Sequence, residues 1–209
     1  MINIVFALEK LLEEKRIFGS EADFQFAFAW KIKELFPKVE IRLEFIPWTY
    51  DSSMHIDIVV FDQEKMIPIE LKYKTKYTDM MVNGERIKLK GHSAQDCGRY
   101  DFLKDIQRME SIKASSYLVE EAYAIIMTND SGYWRKSVRS DTDDPPNDEE
   151  FRIHEGCVIS GERHWKEKAS VGTTKDRQKP ILLKNLYQIS WNDYQSVENC
   201  LFKYVLLKI

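Results

Sequence analysis

Two carboxylates and a lysine lie close together in a segment that otherwise consists of apolar, strand-forming residues. Asp57 lies within the apolar run 54–61, and Glu70 and Lys72 lie within the run 66–73. Both runs are shorter than a typical helix, and the second alternates between apolar and polar residues with the period of two that a strand has. The sequence therefore predicts two strands, joined by a polar turn, that carry charged residues where an isolated charge is costly.

The position of the turn determines which residues face each other. If it is centred between Gln63 and Glu64, Asp57 faces Glu70 across an antiparallel pair. Facing residues have Cβ atoms about 4.5–5.5 Å apart, and Lys72, two residues beyond Glu70, lies on the same face. Two carboxylates at such a distance repel each other unless a proton or a cation lies between them. We therefore predict that the three side chains converge on a divalent-metal site.

The composition indicates a folded, water-soluble domain. A chain of 209 residues with 44% apolar and 12% aromatic residues is long enough for one domain with an ordinary core. We find no apolar run long enough to span a membrane and no signal peptide at the N-terminus. Three scattered cysteines without metal-ligand spacing predict reduced thiols and a cytoplasmic location. The net charge of −3 argues against nucleic-acid binding by bulk charge alone, but not against an enzyme with local cationic groups.

Helices and one strand are predicted before the two charged strands. Residues 2–18 have the spacing of an amphipathic helix, whose apolar face comprises Ile4, Val5, Leu8, Leu11 and Leu12. Ser20, with Asp23 three residues later, predicts the start of a second helix that runs to about Phe36. Residues 40–48 then predict a strand, and Pro47 indicates that it frays or lies at a sheet edge.

The elements after the two charged strands complete a mixed sheet. Residues 74–91 predict a hairpin that turns at Asn83-Gly84, 93–111 a helix, and 122–128 a buried strand. The segment 129–180 is poor in aliphatic residues, and its length indicates either a functional lid or partial disorder; we interpret it as an insertion or lid within the single domain 1–209. Closing strands are expected at 181–183, 187–191 and 201–209, with a helical turn near Tyr194. Three antiparallel strands followed by a helical crossover imply a mixed central sheet with helices on its faces.

The charged hairpin and its neighbours resemble the PD-(D/E)XK nuclease superfamily. The motif of that family is an aspartate on one strand and an acidic residue, any residue and lysine on the next, which correspond here to Asp57 and to Glu70-Leu71-Lys72. Ile56 stands where the family name has proline, and Glu21 fits the place of a glutamate that many members carry on the preceding helix. The resemblance covers residues 20–128. It implies an α/β protein with a restriction-endonuclease-like αβββαβ core, here with an insertion and extra C-terminal strands.

The resemblance also implies an activity. Members are metal-dependent nucleases, so the chain is expected to hydrolyse phosphodiester bonds of nucleic acid, DNA before RNA, with Mg²⁺, or with Mn²⁺ in its place. Asp57, Glu70 and the Leu71 carbonyl would bind the metal. Lys72 would orient the attacking water or stabilise charge on the phosphate, and the sequence leaves open whether it is the base. Glu21 would be a further catalytic carboxylate, although an acidic residue in a first helical turn also needs no explanation beyond the helix dipole.

Gln95 and Arg99 are the candidate substrate-binding residues outside the hairpin. They are four residues apart on one face of a predicted helix, and we expect them to reach the sheet end that carries the motif, where Arg99 would bind a phosphate. The alternative is an ion pair of Arg99 with Asp96 or Asp101, or a place on the helix surface.

Other residues fit nucleic-acid contacts less specifically. Basic residues alternate with aromatic ones in the hairpin region (Lys74, Lys76, Arg86, Lys88, Lys90, with Tyr73 and Tyr77) and in 133–136 and 163–166. A solvated hairpin face and aromatic side chains that cover the core explain the same patterns. His55, on the face of Asp57, is interpreted as structural.

Two rival functions remain open at this stage. The first is a nuclease-like fold without activity that only binds nucleic acid or a partner protein; for the charged trio itself, the alternative is a surface ion pair with Glu70 and Lys72 on a solvated strand face. Alternatively, a different enzyme could use the same carboxylate pair, although we find no Gly-rich phosphate loop and no Ser/His/Asp signature. No membrane partner is expected, and nothing in the sequence indicates an oligomeric state.

Overall fold

The computed structural model describes residues 2–47 and 54–209, so Trp48, the last residue of the predicted first strand, lies outside them. The helices are α1 (Ile4–Leu12), α2 (Glu21–Leu35), α3 (Gln95–Ser115), α4 (Ser131–Trp134) and α5 (Val171–Thr174), with a 3-10 turn at Glu149–Phe151. The strands are β1 (Glu40–Phe45), β2 (Ile56–Asp62), β3 (Lys65–Lys74), β4 (Thr78–Val82), β5 (Glu85–Leu89), β6 (Tyr123–Thr128), β7 (Val158–Arg163), β8 (Ile181–Gln188), β9 (Asn192–Val197) and β10 (Cys200–Lys208).

Six of these strands form one mixed sheet in the order β1-β2-β3-β6-β10-β9. The pairs β1–β2 and β2–β3 are antiparallel, whereas β3 and β6 are parallel, which requires the crossover that α3 supplies. The pairs β6–β10 and β10–β9 are antiparallel. The prediction of a mixed central sheet flanked by helices is confirmed, and β1 lies at an edge, as Pro47 indicated.

Alternate residues of the central strands pack on opposite faces of the sheet. Ile58 of β2 and Leu71 of β3 are buried against α1 and α2, and Val59 of β2 and Ile126 of β6 belong to the core around α3. Side chains alternate along a strand, so Glu70 and Lys72 share the α3 face of the sheet. This alternation brings the polar residues of β3 towards α3.

The predicted register of the β2–β3 hairpin is confirmed. Five pairs form, from Asp62 with Lys65 to Ile58 with Ile69, and they place the turn at Gln63 and Glu64. Gln63 has a left-handed φ of 55°, a conformation that tight hairpin turns use. The ladder stops one residue before Asp57.

The N-terminal helices agree with the sequence only in part. The side chain of Ser20 accepts a hydrogen bond from the Asp23 N–H, so the predicted cap of α2 is confirmed. The prediction of a helix over 2–18 is wrong in length, because α1 ends at Leu12 and Lys15 adopts a φ of 56°. Val5 is exposed, and Ala7 takes the predicted place of Val5 in the buried face. No helix in the described ranges is long and apolar enough to cross a membrane.

The C-terminal half contains the largest departures. The hairpin β4–β5 forms as predicted around Asn83-Gly84. The expected strands 181–183 and 187–191 are replaced by the single strand β8, which pairs with β7 in a separate two-stranded sheet. Tyr194 lies in β9, so the predicted helical turn is wrong. The segment 129–180 contributes buried residues to the core around α3, which agrees with an ordered insertion.

Candidate active site

The candidate site lies where β2 begins and β3 approaches its end. The Asp57 side chain continues the strand contact after the backbone ladder has stopped, since its Oδ2 accepts a hydrogen bond of 2.6 Å from the Leu71 N–H. From α2, the Gln25 Nε2 donates to the Asp57 carbonyl at 2.6 Å. The strand end is therefore held from the sheet and from the helix, and the position of the Asp57 carboxylate is well defined.

Glu70 is the most deeply buried charged residue of the site. It is 2% exposed, and its Oε1 lies 3.0 Å from Nη2 of Arg108. Burial, followed by the negative charges of Asp105 and Asp57, holds the pKa of Glu70 far above its usual range. Burial also raises the pKa of Asp57, although the Lys72 charge and the Leu71 N–H act in the opposite direction.

The Asp57 and Glu70 carboxyl groups lie close enough for the negative charge of Asp57 to raise the pKa of Glu70. Because the pKa of Glu70 is raised, Glu70 keeps its proton near neutral pH, which removes the repulsion between the two groups. The sequence predicted a proton or a cation between these two groups. In the metal-free protein the proton on Glu70 meets that requirement.

Lys72 is fixed by an ion pair with α3. Its Nζ lies 2.7 Å from Oδ2 of Asp105 and donates to the Leu71 carbonyl at 3.2 Å. Burial lowers the pKa of Lys72, but the carboxylates of Asp105, Asp57 and Glu70 outweigh that effect and raise it. Lys72 is therefore an ammonium ion at any pH at which the protein would work.

Asp105 and Arg108 complete the cluster, and they were absent from the sequence-based candidates. Asp105 is 4% exposed, and its Oδ1 lies 3.1 Å from Nη1 of Arg108, three residues further along α3. A signal was present in the sequence, because Asp105 lies three residues after Phe102 and four before Met109, within the apolar stripe of the helix. A charged residue inside such a stripe indicates a buried partner.

Glu21 lies near the end of β3, as expected, and its contact there is with the backbone. Its Oε2 accepts a hydrogen bond of 2.6 Å from the Tyr73 N–H, one residue beyond Lys72. Since Ser20 caps the same helix, the first turn of α2 is attached to the strand that carries the motif. The described contact gives Glu21 a role in positioning β3.

Gln95 and Arg99 contact the segment that follows β6. The Gln95 Nε2 donates to Asp130 Oδ2 at 2.8 Å, and the buried guanidinium of Arg99 bonds Asp148 Oδ2 and the Gly132 carbonyl. The sequence predicted that they point to the sheet end that carries Glu70 and Lys72, and the contacts described for both go to the chain that follows β6, the parallel neighbour of β3. Asp105 and Arg108, further along the helix, occupy the expected position.

The basic and aromatic residues that the sequence offered as nucleic-acid contacts are partly engaged within the protein and partly exposed. In the hairpin, Arg86 pairs with Asp79 within a solvated face. Lys76 pairs with Asp130, and Tyr77 is exposed. In the insertion, Trp165 stacks on Tyr100 of α3 and thus covers the core, as the simpler interpretation predicted.

His55 also has a structural contact. Its Nδ1 lies 3.3 Å from the Glu44 carbonyl, and its own carbonyl accepts a hydrogen bond from Arg108. These contacts join the start of β2 to β1 and α3, which agrees with the structural interpretation of this histidine.

The donor atoms at the site suit a hard divalent cation. In ranges 2–47 and 54–209, no group of three or more His, Cys, Asp or Glu side chains is arranged to hold a metal ion. The site instead offers two carboxyl groups, Asp57 and Glu70, and the backbone carbonyl of Leu71 as candidate metal ligands. Mg²⁺ commonly binds through one or two carboxylates and retains several waters. Among the described residues, the buried Glu70 Oε1 has an ion-pair contact but no hydrogen bond, so the residues fit such an ion.

Comparison with known proteins adds no family to this description. No protein-family model matches the sequence, and no curated protein or solved structure matches it either. The fold and the site define the chain as a mixed α/β protein with a buried carboxylate–lysine cluster on its central sheet. Its function has to be inferred from that cluster.

Proposed function

We propose that this protein is a metal-dependent nuclease of the PD-(D/E)XK superfamily that hydrolyses phosphodiester bonds, with DNA as its expected substrate. The observation that carries the proposal is the carboxyl pair of Asp57 and Glu70 on neighbouring central strands, with Lys72 on the same face. Burying this many charges is costly, and such perturbed groups are concentrated at functional sites.

The chain order of the elements around the site supports a restriction-endonuclease-like core. The elements α2, β1, β2, β3, α3 and β6 follow one another as αβββαβ. The first three strands are antiparallel, and β6 adds in parallel to β3. The motif residues lie on the second and third strands of this arrangement, where the resemblance requires them.

In this proposal each residue of the site has a separate role. Asp57, Glu70 and the Leu71 carbonyl would hold Mg²⁺, which when bound supplies a Lewis acid and a water of lowered pKa. Lys72 donates hydrogen bonds to phosphate oxygen and stabilises the negative charge that develops there. It does not act as the base, because its pKa is raised. Glu21 holds the end of β3 through the Tyr73 N–H and so keeps the motif in register.

One observation favours the rival function, a nuclease-like module that only binds nucleic acid or a partner protein. Glu70 and Lys72 are both engaged by ion pairs from α3, with Arg108 and Asp105 respectively. A site that is neutralised in this way can persist as a structural cluster. Cleavage assays and calorimetry separate the two functions.

The cleavage test uses supercoiled plasmid and labelled single strands with Mg²⁺ or Mn²⁺. We expect Asp57→Asn and Lys72→Met to lose about 100-fold or more of the activity. Asp62→Asn and Lys65→Met are matched controls, because they change the same residue types at the other end of β2 and β3. Equal rates in wild type and all four variants would rule out the assignment.

Calorimetry with Mn²⁺ then tests the binding-only alternative. A nuclease should show Mn²⁺ affinity that Glu70→Ala abolishes, since Glu70 is a proposed ligand. A binding-only module should bind nucleic acid without cleavage and without Mn²⁺ affinity that depends on Glu70.

A further inference from the structure

Arg108 of α3 contacts a carboxylate that we assign to the metal. Its Nη2 lies 3.0 Å from Oε1 of Glu70, its Nη1 donates to Asp105 Oδ1 at 3.1 Å, and Nη2 also donates to the His55 carbonyl. The Arg108 side chain is 21% exposed, so it is only partly buried, whereas the Glu70 side chain beside it is 3% exposed. Arg108 thus supplies positive charge where the proposed Mg²⁺ would supply it.

We propose that Arg108 is a displaceable partner that contacts Glu70 in the metal-free protein and binds a phosphate of the nucleic acid once a divalent cation has taken its place. This inference rests on the proposed function. It assigns to Arg108 the substrate contact that the sequence assigned to Arg99, and it makes nucleic-acid binding depend on prior binding of the cation.

The contacts of Arg108 differ from those of a structural arginine on the same helix. Arg99 is 4% exposed and donates both Nε and Nη2 to Asp148, as well as Nη1 to the Gly132 carbonyl. Among the residues that the structure describes, Arg108 lies 3.0 Å from Glu70 without a hydrogen bond to it and donates hydrogen bonds to Asp105 and the His55 carbonyl. The contact with Glu70 can therefore be lost while the side chain stays anchored at the site.

Electrostatic repulsion favours displacement of the Arg108 guanidinium from Glu70 when a divalent cation binds. A divalent cation on Glu70 and a guanidinium on the same carboxylate repel each other, and the ion carries twice the charge. A guanidinium that leaves Glu70 remains beside the metal-bound carboxylates, where a substrate phosphate would bind. Its planar set of donors suits phosphate oxygens.

The mutational test measures two affinities of the same variant. Arg108→Gln should tighten Mn²⁺ binding about threefold or more, because a competing charge is removed. In Ca²⁺, the same variant should bind a fluorescent oligonucleotide about tenfold more weakly by anisotropy, because a charge-assisted phosphate contact is lost. Lys104→Gln, which removes one exposed positive charge from α3, should change both affinities by less than about twofold.

Opposite changes in the two affinities support the proposal, and any other result overturns it. If Arg108→Gln weakens Mn²⁺ binding or leaves it unchanged, Arg108 does not compete with the ion. If oligonucleotide affinity stays at the wild-type value, Arg108 does not bind the phosphate. If wild-type protein shows no Mn²⁺ affinity, the proposed function fails and this inference fails with it.

A measurement on the wild-type protein keeps the test valid if the variant does not fold. The arginine Nε–Hε resonances can be followed by NMR during a Mg²⁺ titration. We expect the Arg108 resonance to shift with Mg²⁺ and to shift again when oligonucleotide is added, while the Arg99 resonance, an internal control, stays in place. An Arg108 resonance that Mg²⁺ leaves unchanged would contradict the displacement.

Discussion

Lys72 of β3 and Asp105 of α3 form an ion pair in which Nζ lies 2.7 Å from Oδ2, with both side chains largely withdrawn from solvent. The pair joins the central sheet to the helix that crosses over between β3 and β6. It has two consequences: Lys72 is held as an ammonium ion, and α3 becomes part of the site. A buried pair of this kind loses much more when one partner is removed than when both are replaced.

The ion pair predicts a specific pattern of stability. Lys72→Met leaves the buried Asp105 with Arg108 as its remaining described cationic partner and should lower the free energy of unfolding by about 3 kcal/mol. The double variant Lys72→Met/Asp105→Leu should regain at least about half of that loss, because the uncompensated charge is gone. Urea unfolding measures both values. Additive losses in the double variant would show that the two residues are not coupled.

The raised pKa of Glu70 predicts a pH-dependent stability. Above the ordinary value of 4.5, the unfolded chain releases the Glu70 proton while the folded protein retains it, so stability falls as pH rises towards the folded pKa. Glu70→Gln cannot titrate, and its stability relative to wild type should rise by up to about 1.4 kcal/mol per pH unit. Urea unfolding in EDTA between about pH 5 and about pH 8 measures this difference. A difference that does not change with pH would contradict the shift.

Cation binding should release a proton. Glu70 keeps its proton in the metal-free protein near neutral pH, whereas a metal-bound carboxylate is ionised. Mn²⁺ titrations at pH 7 in buffers of different ionisation enthalpy should therefore show the release of about one proton per ion. Asp62→Asn is the control and should behave as wild type. Binding heats that do not depend on the buffer would mean that the ion does not replace the Glu70 proton.

The hydrogen bond between Glu21 and Tyr73 separates a positioning role from a catalytic one. Glu21→Gln keeps an acceptor for the Tyr73 N–H and should change stability by less than about 0.5 kcal/mol, whereas Glu21→Ala should cost about 1–2 kcal/mol. If Glu21 only positions β3, Glu21→Gln keeps most of the nuclease activity. A large loss of activity in a fully stable Glu21→Gln protein would instead show that its charge acts in catalysis.

Arg99 should contribute to the stability of the insertion. Arg99→Ala leaves Asp148 buried with only a longer contact from Arg152, and we expect a loss of about 3 kcal/mol. Limited proteolysis should detect faster cleavage within 136–147. The oligonucleotide affinity of the folded variant should stay at the wild-type value. A tenfold loss of affinity would instead indicate that Arg99 binds a phosphate, as the sequence predicted.

Local features of the sequence were sufficient for the hairpin that carries the motif. The period-two alternation in β3 and the short polar turn at Gln63-Glu64 determined the register, since a shift of one residue would place the charged side chains on the other face. The Ser20 cap and the Asn83-Gly84 turn were equally predictable, because each depends on one or two residues with distinct backbone preferences.

Contacts between distant segments could not be predicted in the same way. β8 has a strand pattern that suits any sheet, and in the structure it pairs with β7 in a separate sheet whose buried residues share the core with α3. α3 contributes Asp105 and Arg108 to the site instead of Gln95 and Arg99, because its rotation and its axial position relative to β3 follow from core packing.

The sequence by itself determined that Asp57, Glu70 and Lys72 share one face of a central hairpin, because strand periodicity and turn geometry are local properties. Only the tertiary structure decided which charges neutralise them. Lys72 pairs with Asp105 and Glu70 lies against Arg108, across gaps of more than thirty residues in the chain. The physical reason is that a buried charge requires a partner, but the identity of that partner depends on which helix covers the strand and in which orientation.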